Sequence, residues 1–266
     1  MNKQSYIIGW DVGGWNCDSN PSSRDALVIL DPNRNLVGVP WRGNLRVTIN
    51  QANTPHAFIM ALFQLCQAEY VSTQNNSVLL AIDTPLGFSD ALINLLVNRQ
   101  PVAMIEDSAS NDYLYRYTEQ VLFVGGLKPL SPIKDMIGSQ ATKGLHVLAK
   151  FAPNIHQCGI WSGNKTLFAL EAYPSACKHS TLVKNLLKPF GFDKPSASNL
   201  AKDIVETIEP FNHADKYDAL LCALIGWMQI NQPEQIIQPT AEVLESEGWI
   251  FTPVDAFNKN ISEQSK

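Results

Sequence analysis

SYIIGWDVGGWN, residues 5–16, runs from the apolar triplet Tyr6-Ile7-Ile8 into a carboxylate, Asp11, and then at once into Gly13-Gly14 and a tryptophan. Alone, Asp-x-Gly-Gly after a strand is an ordinary turn, because Asp and Gly supply the local hydrogen bonds and positive φ that turns use. Recurrence gives it meaning. Asn76–Ile82 (NSVLLAI) is an unbroken apolar run, the pattern of a central strand buried on both faces, and it also ends in an acid, Asp83, followed by Thr84-Pro85-Leu86-Gly87. Lys165–Glu171 (KTLFALE) repeats the pattern and ends in Glu171. Three apolar strands that each terminate in a carboxylate predict an α/β sheet with an acidic edge, since strand ends on one edge line the cleft of such sheets.

The rest of the chain fits around these strands. Tyr6–Val12 reads as the first strand and Asp25–Leu30 (DALVIL) as the second; the turn signal Asp31-Pro32-Asn33-Arg34-Asn35 returns the chain into Leu36–Pro40 as a third. Thr54 and Pro55 open an apolar stripe at Phe58, Ala61, Leu62, Leu65 and Cys66, the spacing of a helix with Thr54 as N-cap. Ser89–Val97 reads as a short helix, and residues 100–150 as a helical insertion of the kind that forms lids or substrate platforms. Pro174 opens another helix, 196–209 reads as helical, and Ala214–Ile230 (ADKYDALLCALIGWMQI) is apolar nearly all round after its first turn, which marks a buried helix. The end, NKNISEQSK, reads as frayed. No repeat, heptad run or low-complexity segment interrupts this, so one domain over 1–266 is expected.

Composition narrows the classes. With 45% hydrophobic and 17% charged residues, the chain can build an ordinary globular core. A net charge of −5 is not the profile of a protein that wraps long nucleic acid. Cys17, Cys66, Cys158, Cys177 and Cys222 are scattered and form no C-x-x-C pair, which removes a cysteine-rich zinc site and a disulfide framework and leads to the expectation of a reducing, cytoplasmic setting. The N-terminal apolar stretch is too short for a signal peptide, and no run of about 18 apolar residues is present to span a membrane.

The last helix adds Asp215 and Asp218, three apart and therefore on one helix face. If it starts at the edge where the strands end, four or five carboxylates meet. Like charges so placed hold a proton or bind cations, and oxygen-only clusters suit Mg²⁺ or Mn²⁺. Two such ions activate water and stabilise the leaving oxygen in phosphodiester cleavage. The candidate metal ligands are Asp11, Asp83, Asp215 and Asp218, with Glu171 as a further ligand or orienting base. Each also has an ordinary reading: Asp11 as a turn residue, Asp83 as a cap before Pro85, Glu171 in an ion pair with a neighbour such as Lys178, Asp215 as an N-cap, and Asp218 complementing the helix dipole.

Other polar residues say less. His56, His146, His156, His179 and His213 show no ligand spacing; His213 lies near enough to Asp215 to reach the site. SPIKDMIGSQATKG offers Lys134, Ser139, Gln140 and Lys143, either as phosphate contacts or as a solvated loop, the reading preferred here. Arg116 and Glu119 form an ion pair or line the cleft, and Trp10, Trp15, Trp41 and Trp227 read as core or rim packing. No P-loop, G-x-G-x-x-G or G-x-S-x-G is present.

The order GWDVGGW, AIDTPLG, Arg116-x-Thr118-Glu119, GSQATKGL, EAYP at Glu171–Pro174 and DKYDALLCALIGW resembles the domain-of-unknown-function 429 family of predicted nucleases, assigned to the ribonuclease H-like superfamily, over roughly residues 6–230. The resemblance implies a mixed sheet of three antiparallel strands with parallel additions and helices on both faces. It implies strand-borne acids at Asp11 and Asp83, helix-borne acids at Asp218 with Asp215, and Glu171 in the family's Glu-x-x-Pro motif. The chain departs from it after Pro174, where SACKHSTLVKNLLK has lysines but no arginine. The expectation is a metal-dependent nuclease or phosphodiesterase acting on nucleic acid or a nucleotide. The alternatives are a nucleotide-dependent phosphotransferase of the actin and sugar-kinase type, with Asp11-Val12-Gly13-Gly14 as a phosphate loop, and a non-catalytic binding module.

Overall fold

The computed structural model describes residues 5–71, 76–108, 110–192 and 208–257. Its centre is an open, eight-stranded mixed sheet: β1 (Tyr6–Asp11), β2 (Asp25–Leu30), β3 (Trp41–Gly43), β4 (Val78–Asp83), β5 (Asn154–Gln157), β6 (Ile160–Gly163), β7 (Leu167–Ala172) and β8 (Ile250–Phe251). The order is β3-β2-β1-β4-β7-β6-β5, with β8 beside the end of β7. β1, β4 and β7 run parallel; β2 and β6 run against them. The carboxyl ends of β1, β4 and β7 and the amino end of β2 therefore share one edge.

Alternation along each strand divides the core. Ile7, Val28, Leu79, Ala81 and Leu170 face one layer; Ile8, Trp10, Leu27, Leu80 and Ile82 face the other. The second layer is roofed by α1 (Arg46–Gln51), α2 (Pro55–Leu65) and α5 (Gly138–Phe151), where Phe58 and Phe151 stack at 4.3 Å. The first is covered by α6 (Pro174–Cys177), α7 (Thr181–Leu187) and the long α8 (Ala214–Asn231). Two further helices, α3 (Asp90–Asn98) and α4 (Tyr117–Val124), stand beyond the acidic strand ends.

Two glycines set how closely α8 lies on the sheet. A Cβ on Gly9 would come 1.9 Å from the carbonyl oxygen of Ala219, and one on Gly226 would come 2.8 Å from Ile7. The helix thus runs antiparallel to β1, with its first turn at the acidic edge.

Several expectations shift in detail. The third strand is Trp41–Gly43 and not Leu36–Pro40. Leu36 makes one isolated bridge to Leu30, after which Gly38 at φ +70° turns the chain away and Pro40 has no N–H to donate. The helices within 100–150 are α4 and α5, and α5 is core: Val147, Leu148 and Phe151 are buried against the sheet. Lys165 belongs to the β6–β7 turn, with Asn164 and Lys165 both at positive φ, so the strand starts at Leu167. The 196–209 stretch lies outside the described residues except for 208 and 209, which form a bend, and the tail at 258–266 lies outside them entirely. No described helix is long and apolar enough to cross a membrane.

Candidate functional site

Sheet register builds the site. Asp83 pairs with Asp11, Asp11 with Ala26, and Ala26 with Arg42, so these four form one row on the face that α8 covers. Adjacent strands lie ~4.8 Å apart, which makes Asp11 and Asp83 immediate neighbours. α8 supplies Asp215 and Asp218 from its first turns, where the helix dipole favours negative charge.

The electrostatics follow from this crowding. Burial, then Asp83, Asp218 and Asp215, raise the pKa of Asp11 well above the usual carboxylate range. Burial, then Asp218 and Glu171, do the same for Asp83, with the Lys178 ammonium opposing. Asp218 is raised to about 6 by burial, with Lys178 opposing and Asp215 adding to the rise. Among the described residues, no hydrogen-bond donor or ion-pair partner touches the carboxylates of Asp11, Asp83 or Asp218. The layer beneath is poor in polar groups: burial and these acids also hold the thiols of Cys177 and Cys222 up.

The other two expected site acids are already engaged. Asp215 accepts from the Arg42 Nε at 2.7 Å, and His213 caps the helix by accepting the Asp215 N–H at Nδ1. Glu171 pairs with Ile82, one residue short of Asp83, so its side chain leaves the opposite face of the sheet. There it accepts from Arg116 at 2.8 Å on each oxygen and from the Leu86 N–H at 2.8 Å. Arg116 also binds Glu119 at 2.5 Å, and all three side chains are buried. Burial raises the Glu119 pKa; Arg116 opposes that rise without overcoming it. All five expected carboxylates therefore act on one another electrostatically, but Arg42 holds Asp215 and Arg116 holds Glu171, so among the described residues Asp11, Asp83 and Asp218 are the three without a contacting cation.

A second buried pair lies behind the β1 turn. Lys143, read from sequence as part of a solvated loop, sits on α5 and is fully buried, 2.5 Å from Asp25. Asp25 also accepts from the Trp10 Nε1, the Gly13 N–H and the Leu45 N–H. The Gly14 N–H donates to Ser23 Oγ and the Trp15 N–H to Ser139 Oγ. The two glycine amides of the would-be phosphate loop, and the Trp15 amide after it, are therefore occupied within the protein.

Asp11, Asp83 and Glu171 line a cleft of about 390 Å³, which Asp215 and Asp218 do not line. Thr84, Lys128, Gln140, Tyr173 and Ser175 contribute polar groups, and Pro85, Pro129, Leu130, Ile137 and Ile250 contribute apolar wall. Burial and then Asp83 raise the Tyr173 phenol to about 12. The Thr84 hydroxyl is buried with no hydrogen-bond partner among the described residues.

Sequence reading did not single out Asp25, Arg42, Thr84 or Lys128. A signal for Asp25 existed: a strand antiparallel to β1 brings its first residue to the edge where β1 ends, and Asp25 opens DALVIL. Arg42 and Lys128 carried none, since each acts across the sheet or from a distant loop.

A scan against protein-family models finds no match, and searches of curated proteins and of solved structures find none either. Fold and site alone define the class: an α/β protein with an open mixed sheet and an acidic cleft at the carboxyl edge of its parallel strands.

Proposed function

We propose that this chain is a metal-dependent phosphodiesterase of the ribonuclease H-like kind, with Asp11, Asp83 and Asp218 as its reactive centre. One observation carries the reading: three crowded carboxylates at the sheet edge have neither a donor nor a cationic partner in contact among the described residues. The strand series β3-β2-β1-β4-β7, antiparallel then parallel, and the helix that starts at the acidic edge support the ribonuclease H-like assignment and the resemblance to the domain-of-unknown-function 429 family.

Among the described residues, no group of three or more His, Cys, Asp or Glu side chains is placed to cage an ion unaided. Mg²⁺ does not require one, since it is commonly bound by one or two carboxylates and takes its other ligands from water and substrate phosphate. Asp11 and Asp83, adjacent and without a contacting partner among the described residues, fit that mode, and Mn²⁺ suits the same oxygen set. The bound cation supplies charge neutralisation at the phosphoryl group and an acidified water. The protein's own groups do the rest. Lys178, whose charge reaches Asp83 and Asp218, offsets part of their mutual repulsion. Asp218 is suited to accept the proton that water loses as it attacks phosphorus, because its pKa of about 6 lies near neutral pH. The apolar layer of Cys177 and Cys222 keeps solvent from beneath the acids.

The phosphotransferase alternative is weaker, since the Gly13, Gly14 and Trp15 amides are already engaged. The test is calorimetric titration of Mg²⁺ and Mn²⁺ into wild type and Asp11→Asn/Asp83→Asn, together with hydrolysis of bis(p-nitrophenyl) phosphate. Binding and turnover in the wild type, both lost in the variant, are expected. A wild type that binds neither ion at millimolar concentration and cleaves nothing would refute the reading.

A further inference from the structure

The cleft has more recognition capacity than a bare phosphodiester needs. Its volume, about 390 Å³, falls in the range of small-molecule pockets. Three polar side chains that line it have no protein partner among the described residues: the Lys128 ammonium, the Gln140 amide and the Thr84 hydroxyl. Thr84 is the telling one. It is 5% exposed, and a buried hydroxyl left without a partner is costly, so in a native protein it calls for an explanation such as a bound ligand. The same cleft is lined by Pro85, Pro129, Leu130 and Ile137, apolar surface suited to a flat ring.

The same cleft is poorly equipped for a polymer. Duplex binding draws on many lysine and arginine contacts to successive phosphates. Here Lys128 is the one lysine lining the cleft among the described residues, beside Asp11, Asp83 and Glu171, in a chain of net charge −5.

We infer that the substrate is a small phosphodiester carrying one nucleoside-sized heterocycle, not a polynucleotide, with its phosphate toward Asp11 and Asp83 and its ring between Gln140 and the Leu130 wall. The inference rests on the phosphodiesterase reading above. Gln140 offers one donor and one acceptor side by side, the pairing that a nucleobase edge presents. Lys128 is a positioning cation for the phosphate, and Thr84 bonds either substrate or an ordered water at the inner end. The reaction is hydrolysis. A water oxygen bonds to phosphorus and one P–O ester bond breaks. The water's proton passes to a site carboxylate, and the released alkoxide takes a proton from solvent.

The experiment compares four substrates on the wild-type chain with Mn²⁺: a 3′,5′-cyclic nucleotide, bis(p-nitrophenyl) phosphate, a short single-stranded oligonucleotide and its duplex. The cyclic nucleotide is expected to show a kcat/KM at least about tenfold above either polymer, expressed per scissile bond. Gln140→Ala is expected to lower the preference for the cyclic nucleotide over bis(p-nitrophenyl) phosphate by about tenfold, the effect of one lost hydrogen bond. As a readout without turnover, calorimetry with a nucleoside 5′-monophosphate should give binding at least about tenfold tighter than ribose 5-phosphate, a difference that Gln140→Ala reduces. If the generic diester is cleaved but the oligonucleotides are preferred, the substrate inference falls and the phosphodiesterase reading stands. If nothing is cleaved, both fall.

Discussion

Neutralising Asp218 should stabilise the metal-free protein, and by an amount the site's electrostatics specify. Its carboxyl is raised from 3.8 to about 6. Between those pH values the folded chain holds a proton that the unfolded chain has released. Stability therefore falls as pH rises through that window and levels off above it. The shift corresponds to about 3 kcal/mol at ~1.4 kcal/mol per pH unit. The side chain keeps a minority of its surface in water, so about 2 kcal/mol is the more realistic figure. Asp218→Asn removes that cost, and it relieves Asp11 and Asp83 as well, which acts in the same direction. In EDTA at pH 8 the variant's Tm should rise by about 4 to 8 °C for a chain of this size. At pH 4.5, where the folded wild type is already protonated there, most of the gain should vanish. Thermal scans and urea titrations at the two pH values measure both. A variant no more stable than wild type at pH 8, or one equally stabilised at both pH values, would refute the claim that burial and like charge strain this carboxylate.

Other perturbations probe neighbouring parts. Gly9→Ala places a methyl group within 1.9 Å of the Ala219 carbonyl, so it should cost about 3 kcal/mol in urea unfolding and abolish divalent-ion binding by displacing α8. Arg42→Ala releases Asp215 into the cluster, and calorimetry should show Mn²⁺ bound several-fold more tightly than by wild type. Arg116→Leu leaves Glu119 and Glu171 buried without their cation and should destabilise by about 3 to 5 kcal/mol, with part of the loss restored by adding Glu119→Gln. Lys143→Met strands Asp25 in the same way, and recovery on adding Asp25→Asn, read by denaturant midpoint, would identify the lost pair as the cause.

The sheet's centre was legible because its strands are buried on both faces and so read as unbroken apolar runs; β1, β2, β4 and β7 lie within two residues of their expected bounds. The α2 cap was equally visible, as Thr54 accepts from the Ala57 N–H; Ser89, read as the first residue of its helix, is instead the N-cap of α3 and accepts from the Leu92 N–H. β5 was not, since all four of its residues are exposed and its NIHQ sequence carries no apolar alternation. β8 is two residues long, below any pattern. Within the site, recurrence of strand-ending acids pointed to Asp11 and Asp83, and D-x-x-D spacing to Asp218. The separation of Glu171 was hidden because it depends on a single residue of register against β4, and side-chain direction inverts with each residue along a strand. The engagement of Asp215 was hidden for another reason: Arg42 lies far away in sequence.

The glycine seam between β1 and α8 also bears on when the site comes into being. Asp11 and Asp218 are separated by roughly two hundred residues and are brought together only when Ala219 settles on Gly9. During synthesis, the strand with the first acid is made long before the helix with the last. A nascent chain that has emerged only through β7 holds Asp11 and Asp83 on a sheet whose α8 face is still bare. That half-built edge lacks its third carboxylate and the buried surface that perturbs the first two. The acidic cluster is therefore completed in one late step, the docking of α8 on β1.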